Sequence, residues 1–312
     1  MSWSSVETAA VARAVSKAPS VHNTQPWALE FHPGRVDLYE VPARGLPQHD
    51  PDGRDRLISC GAALTNLRLA VRTLGRATEV ELPTGGQQAG LLARVNVGES
   101  LLPSDDEVAL YAAIFRRRSH RAPFRLRPVS RRSLRALART AGQVDTEARL
   151  IDPRTEAEPL AELLGYAAST FRDQRGYQRE LAALAGGFPE PLPRESTLPW
   201  GGLVRGDTHL PHPFTLTDRL AREAMLLVVT VDDNWRDHVL AGAALERIWL
   251  NAVARGLVAS VVTQPLHLHE VRSGLIERLD LAGFPQALLR VGHPVTQQAT
   301  AGTPLEYQEE IR

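Results

Sequence analysis

Apolar residues along this chain change period several times, and each change marks an element. Val6, Ala9, Ala10, Ala14 and Val15 recur at close to helical spacing behind serines able to cap, and Pro19 ends the run, so a helix is predicted over 6–17. Residues 27–41, "WALEFHPGRVDLYEV", alternate apolar and polar positions around His32-Pro33-Gly34 and predict a hairpin. A long apolar helix is predicted over 55–74, closed by Gly75, with short strands at 78–82 and 91–97. After Leu102-Pro103-Ser104 the period turns helical again over 105–116, 130–141 and 156–185, the last broken near Gly176. Residues 186–214 are dense in Gly and Pro, carry Trp200 and show no period, which predicts a long loop. The continuous apolar run "MLLVVTV", 225–231, predicts a buried strand, followed by a helix over 237–255 and strands near 258–263 and 287–291.

The order of these elements repeats. "GAAL" begins at Gly61 and again at Gly242, an offset of 181 residues, and the same offset relates the helix-closing Gly75 to Gly256. Each copy leads into a strand and then a second short strand, "LLARV" at Leu91 and "LLRV" at Leu288. Alanine-rich helices resemble one another by chance, but a shared series of helix, glycine, strand and strand favours duplication.

Composition narrows the function classes. The chain has 312 residues, 43% hydrophobic and 23% charged, enough for a large core in one or two domains. Lys plus Arg and Asp plus Glu each total 36, so no global charge favours nucleic acid or an anionic membrane as partner. Lys17 is the only lysine, which removes most scope for amine chemistry, and Cys60 the only cysteine, which excludes an intrachain disulfide and a cysteine-rich metal site. No signal-peptide pattern and no apolar run of about 20 residues occurs, so a cytoplasmic protein is expected.

Two runs stand out chemically. "APSVHNTQPW", 18–27, holds far more hydrogen-bonding groups than a helix end needs. "FRRRSHRAPF" gathers Arg116, Arg117, Arg118, Ser119, His120 and Arg121 in a neutral chain. Guanidinium forks beside a hydroxyl suit a phosphate monoester, and a solvated helix end favoured by the macrodipole is the alternative. His209-x-x-His212 and His267-x-His269-Glu270 have metal-ligand residue types, but neither has an apparent third partner, and no metal is expected. The G-x-S-x-G, G-x-G-x-x-G and P-loop patterns are all missing, which disfavours a hydrolase, a Rossmann dinucleotide site and a P-loop nucleotide site.

"APSVHNTQPW" with "RRSHR", the two long helices and the closing "RVGHP" resembles the FMN-dependent nitroreductase family over most of the chain. In that family the R-R-S-x-R motif comes first and binds the FMN phosphate, while P-S-x-x-N-x-Q-P-W reaches the flavin of the partner subunit. Here the order is reversed and each half carries one motif, which resembles the Acg-like branch of actinobacteria, where two halves of one chain imitate two subunits. The resemblance implies an α+β, nitroreductase-like, internally duplicated fold with halves 1–104 and 105–312, one FMN per chain and a monomer. It implies that Arg117, Ser119 and Arg121 hold the phosphate, that Ser20, His22, Asn23 and Gln25 contact the ring, and that Thr263 and Gln264 pass near the flavin N5. It leaves the catalytic side chain unassigned.

Two departures qualify the match. Family members carry basic residues after the final G-x-P, whereas here none occurs until Arg312. The 186–214 loop is longer than a connection needs, and the resemblance implies a lid over the flavin there; the apolar residues of "LPWGGL" in the loop then predict that Trp200 or a nearby apolar residue approaches the ring. The function expected is electron transfer through FMN, from NAD(P)H to a nitro, quinone or similar small-molecule acceptor. The alternative is a non-catalytic protein that sequesters or stores flavin under a closed lid.

Overall fold

Two long helices cross at the centre of the molecule, α2 (Arg54–Thr73) and α8 (Trp235–Ala254). Both are buried on nearly every side, which an alanine-rich sequence permits because small side chains let backbones approach. The approach is closest at the repeated "GAAL" glycines. A Cβ on Gly61 would lie 2.0 Å from the Val239 carbonyl oxygen, and one on Gly242 would lie 1.9 Å from the Ile58 carbonyl oxygen. Ile58 and Val239 are themselves 181 residues apart, so the contact is reciprocal and marks a pseudo-twofold axis. Thr65 Oγ1 donates to the Ala243 carbonyl at 2.9 Å beside it.

The computed structural model describes residues 2–83, 90–121, 123–142, 145–184, 204, 206 and 210–295. Around the crossing lie two four-stranded antiparallel sheets of matching topology. The first comprises β1 (Trp27–His32), β2 (Arg35–Glu40), β3 (Arg76–Glu81) and β4 (Leu91–Ser100) in the order β1-β2-β4-β3. The second comprises β5 (Thr146–Leu150), β6 (Ala224–Thr230), β7 (Val258–Val262) and β8 (Phe284–Gly292) in the order β5-β6-β8-β7. Even the irregularities correspond: β2 slips against β4 at Leu38/Tyr39, and β6 slips against β8 at Val228/Val229. Gly75 and Gly256, at φ +79° and +77°, turn the chain from helix into strand in the two copies.

The halves differ in what covers them. Helix α1 (Ser5–Val15) and α3 (Asp105–Arg116) start with capping boxes, Ser4 with Glu7 and Ser104 with Glu107, and pack on α2. In the second half, α4 (Arg131–Ala138) precedes β5, and α5 (Ala157–Asp173), α6 (Arg175–Ala183), α7 (Pro213–Ala221) and α9 (His269–Arg278) form an outer helical layer. Strand β6 therefore has two apolar faces. Met225, Leu227 and Val229 meet that layer, while Leu226 and Val228 meet α8, which is why its sequence is a continuous apolar run.

The predicted helices over 55–74, 105–116 and 237–255 and the predicted strands all form, with ends moved by a few residues. The long helix 156–185 breaks near Gly176 as expected, at Gln174. Strand β5 and helix α9 form although their sequences carry no strong period, and the end of the predicted 186–214 loop is helical from Pro213. Trp200 and most of that loop lie outside the described residues.

Candidate functional site

A hollow opens beside the α2/α8 crossing. Its apolar lining comes from Ile58 and Ala62 of α2, Leu245 and Trp249 of α8 and Val261 of β7. Two segments far apart in sequence supply polar lining: Ser20 and His22 follow α1, and Ser119 and Arg121 follow α3. His49, Asp55, Thr263 and Gln264 complete it.

The segment after α1 is bent into an unusual shape. His22, Asn23 and Gln25 all have positive φ, 51°, 57° and 47°. Non-glycine residues in this region cost of order 1–3 kcal/mol each and tend to cluster at ligand sites. Hydrogen bonds compensate. Ser20 Oγ accepts the Gln25 N–H at 3.0 Å, and Arg44 Nη1 donates to the Gln25 carbonyl at 2.7 Å. Asn23 and Gln25 are not among the residues lining the hollow; they shape the backbone that presents Ser20 and His22.

The segment after α3 is laid along the edge of β7, where Ser119 bridges Ala259 and the His120 N–H donates to the Ala259 carbonyl at 2.9 Å. Arg121 reaches the hollow, but Arg117 does not line it. Its guanidinium stacks 4.5 Å over the Trp249 ring, Nη2 donates to the Lys17 carbonyl at 2.9 Å, and Nε lies 3.5 Å from Glu246 Oε1. Arg117 thus ties the end of α3 to the chain two residues before Pro19, so one side chain holds the two segments in register.

A buried ionic cluster adjoins the hollow. Asp50 caps α2 through the N–H groups of Asp55 and Arg56 at 3.1 and 2.8 Å, while Asp55 sits 3.1 Å from His267 Nε2, 3.6 Å from His49 Nε2 and 3.1 Å from Arg54 Nη2. Thr263 Oγ1 donates to Asp55 at 2.5 Å, and Gln264 donates to the Tyr177 hydroxyl. Burial alone would raise the Asp55 carboxyl, but His267, His49 and Arg54 hold it well below the usual carboxylate range. Asp50 moves up instead, because of burial and the neighbouring Asp55 charge. His267 therefore does have partners, contrary to the sequence reading, since His49 and Asp55 come within 4.8 Å of it by ligand atoms. The three could touch one cation, yet Arg54 already places positive charge against the same carboxylate, which opposes a second one. His49 and Asp55 escaped the sequence analysis, although "HDPDGRD", 49–55, is an unusually ionisable entry to an apolar helix.

Two groups, buried Glu246 and half-buried His22, give stability opposite pH slopes. The Glu246 carboxyl, wholly buried with Arg117 as its nearest charge, is pushed up to about 7 by burial; His22 is pushed down to about 4 by burial, His49 and Arg121. Below about pH 7 the folded state binds the Glu246 proton more tightly than the unfolded chain, so this carboxyl lowers stability as pH rises through 4.5–7. For His22 the unfolded chain binds the proton more tightly, so stability rises with pH between about 4 and 6.5. The two largely cancel. Urea unfolding of Glu246→Gln at several pH values should give stability rising more steeply with pH than in the unsubstituted protein, and His22→Asn should give the reverse; parallel curves for all three would contradict both assignments.

The chain aligns with curated relatives along nearly its whole length. It is 30% identical over 313 residues, 95% of this chain and 90% of the relative, to a Mycobacterium tuberculosis H37Rv protein provisionally named NAD(P)H nitroreductase Rv3131. It is 28% identical over 310 residues to the protein named acg of the same strain, covering 95% and 92% of the two chains. Among solved structures, a BluB-like flavoprotein from Clostridium difficile matches 63% of this chain and 95% of its own at TM-score 0.41 and 17% identity. The FMN-dependent nitroreductase NfnB from Mycobacterium smegmatis, solved in complex with NADPH, matches 61% of this chain and 89% of its own at the same TM-score and identity. No family model matches the chain. The full-length alignment to Rv3131, joined to the duplicated sheets around one helix crossing, makes this chain a member of the nitroreductase family, in its Acg-like branch.

Proposed function

We propose that the hollow holds one FMN per chain and that the protein is a monomeric, cytoplasmic nitroreductase-like oxidoreductase, with halves joined between residues 104 and 105. The observation that carries this reading is the meeting of the two segments: Ser20 and His22 come to the same lining as Ser119 and Arg121, about a hundred residues later in the chain. The residues fit such a group. A flat apolar ring matches Ile58, Leu245, Trp249 and Val261, polar ring edges match Ser20, Thr263 and Gln264, and a phosphate matches Arg121 with Ser119.

When bound, FMN supplies reversible electron transfer, here from NAD(P)H to a nitro, quinone or similar acceptor. The chain's own groups position and charge the site. Arg121 brings the cation for phosphate, and Arg117 supports Trp249 from behind rather than touching phosphate. His22, pushed down to about 4, is neutral near pH 7 and adds no charge to the ring face. His49 lines the hollow in front of ionised Asp55 and is the group placed to hand a proton to an acceptor bound there.

One observation favours the storage reading as a second possibility. Gln178 donates to the Val204 carbonyl at 3.0 Å and accepts the Gly206 N–H at 2.9 Å, and buried Val204 is thereby fixed beside Tyr177, which bonds Gln264. Val204 and Gly206 are thus anchored to Gln178 of α6, next to Tyr177 and its bond to Gln264 of the lining. Purified protein should contain about one flavin per 34.2 kDa chain and scatter light as a monomer. Anaerobic mixing with NADH and NADPH separates the two readings, because rapid bleaching supports the reductase and persistent yellow absorbance supports storage. A protein that neither purifies with nor binds FMN would sink both.

A further inference from the structure

The pseudo-twofold axis generates a second hollow. Moving along the sequence by the repeat offset of 181, Asp55, Ser59 and Ala62 of the first lining become Arg236, Leu240 and Ala243, and all three line a second hollow on the other side of the crossing. In the opposite direction Leu245 and Trp249 become Leu64 and Arg68, and Val261 and Thr263 become Val80 and Leu82, which also line it. The second hollow is the mate of the first, and at about 320 Å³ against 120 Å³ it is the larger. Helix α3 connects them: Glu107 and Leu110 of its first turns line the second, and Ser119 and Arg121 beyond its end line the first.

The chemistry has been exchanged position by position. A guanidinium, Arg236, replaces the Asp55 carboxylate; Arg68 replaces the Trp249 ring; and leucines replace the Ser59 and Thr263 hydroxyls. A third cation, Arg247, joins Arg68 and lies half-buried over Gly142, whose lack of a Cβ leaves room for it, with Nη2 only 3.0 Å from where that Cβ would be. Burial and the nearby Arg68 charge both press on Arg247. None of Arg68, Arg236 and Arg247 forms an ion pair or side-chain hydrogen bond among the described residues. Of the two acids in the lining, Glu107 is engaged by Arg72 at 2.7 Å and by Ser104, leaving exposed Asp145 against three guanidinium groups.

We infer that this second hollow is a binding site for a small organic anion with a flat apolar body, a carboxylate, sulfonate or phosphate on an aromatic frame. Leu64, Leu82, Leu240 and Leu250 supply the apolar walls, and the arginine forks supply the anion contacts. Arg68 and Arg236 are exposed at the mouth of the hollow and Arg247 is half-buried, so their forks are open to a ligand, and a bound anion with an apolar frame would meet these forks and the leucine walls together. The inference stands on the repeat and on this lining, whatever the first hollow takes.

The probe is 8-anilinonaphthalene-1-sulfonate, titrated into the purified full chain as it comes with its bound flavin, after free FMN has been removed. One saturable site is expected, with affinity at least about tenfold weaker in Arg68→Ala/Arg247→Ala, where charge-assisted bonds are lost. Leu240→Trp, which fills the hollow and keeps the cations, should weaken it similarly. The uncharged N-phenyl-1-naphthylamine should bind at least about tenfold more weakly to the unsubstituted protein. Flavin content and unfolding midpoint should not move in Arg68→Ala/Arg247→Ala. Absence of saturation by about 1 mM, an affinity of roughly 4 kcal/mol, would overturn the inference. So would equal binding of the neutral probe, or affinity unchanged in both variants. A change in FMN affinity alone bears on the first hollow and leaves these outcomes separate.

Discussion

Gly242→Ala is expected to be severely destabilising. The added methyl carbon would stand 1.9 Å from the Ile58 carbonyl oxygen and 2.7 Å from its carbon, both backbone atoms that no rotamer change can move. Restoring ordinary contact at about 3.4 Å requires α2 and α8 to part by more than about 1 Å along a close-packed crossing. A loss of about 3 kcal/mol or more follows, at the upper end for overpacked cores, with the unfolding midpoint lowered by roughly 6–12 °C. Ile58 and Leu245 line the first hollow from this crossing, so bound flavin should fall with stability. Gly75→Ala is the control. Nothing lies within 4 Å of its Cβ position and only its φ of +79° opposes the change, so a loss nearer 1 kcal/mol is expected. Thermal unfolding of both variants checks this, and equal midpoints would mean that the helices do not cross at Gly242.

The second large effect separates two arginines of one motif. Arg121→Ala should release flavin while the protein still unfolds cooperatively near its usual midpoint, because a half-buried side chain lining the hollow is lost and the core is untouched. Hydrogen bonds to charged groups contribute about 1.5–3 kcal/mol each, which sets a fall in affinity of roughly ten- to a hundredfold. Arg117→Ala should act mainly on stability. It leaves Glu246 buried with no guanidinium, removes the stack on Trp249 and frees the Lys17 carbonyl. Breaking a buried pair from one side costs about 3–5 kcal/mol, and Glu246→Gln added to Arg117→Ala should recover part of it. The double Arg117→Ala/Arg121→Ala protein should lose both flavin and stability. Flavin absorbance per chain, measured beside urea unfolding, distinguishes these outcomes; an Arg117→Ala protein of normal stability that has lost its flavin would reverse the two roles.

Much of this division was invisible in "RRSHR". The run announces cations and a hydroxyl, but three neighbouring arginines look alike until the end of α3 fixes which way each points: Arg117 turns inward onto Trp249, 132 residues away in sequence, and Arg121 turns to the hollow. The polar excess of "APSVHNTQPW" was legible, and Ser20 and His22 are where it led. The part played by Asn23 and Gln25 was not, because positive φ is a property of the bend and their amides suggest contacts that the bend turns elsewhere. His49, Asp55 and His267 were missed as a group since α2 and the segment after β7 meet only through the crossing of the two halves.

By itself the sequence determined the elements with strong periods, the duplication carried by "GAAL" and its following glycines, and the two chemical runs at opposite ends of the repeat. These are local signals: helix and strand periods, caps and glycine turns depend on neighbours a few residues away. Tertiary structure alone decided that Gly61 and Gly242 meet backbone to backbone, that the runs share one hollow and that the offset of 181 creates a second hollow with its charges exchanged. Those outcomes depend on where helices cross and which side chains the crossing buries. That is set by packing between residues some 180 positions apart, for which a single sequence has no period to read.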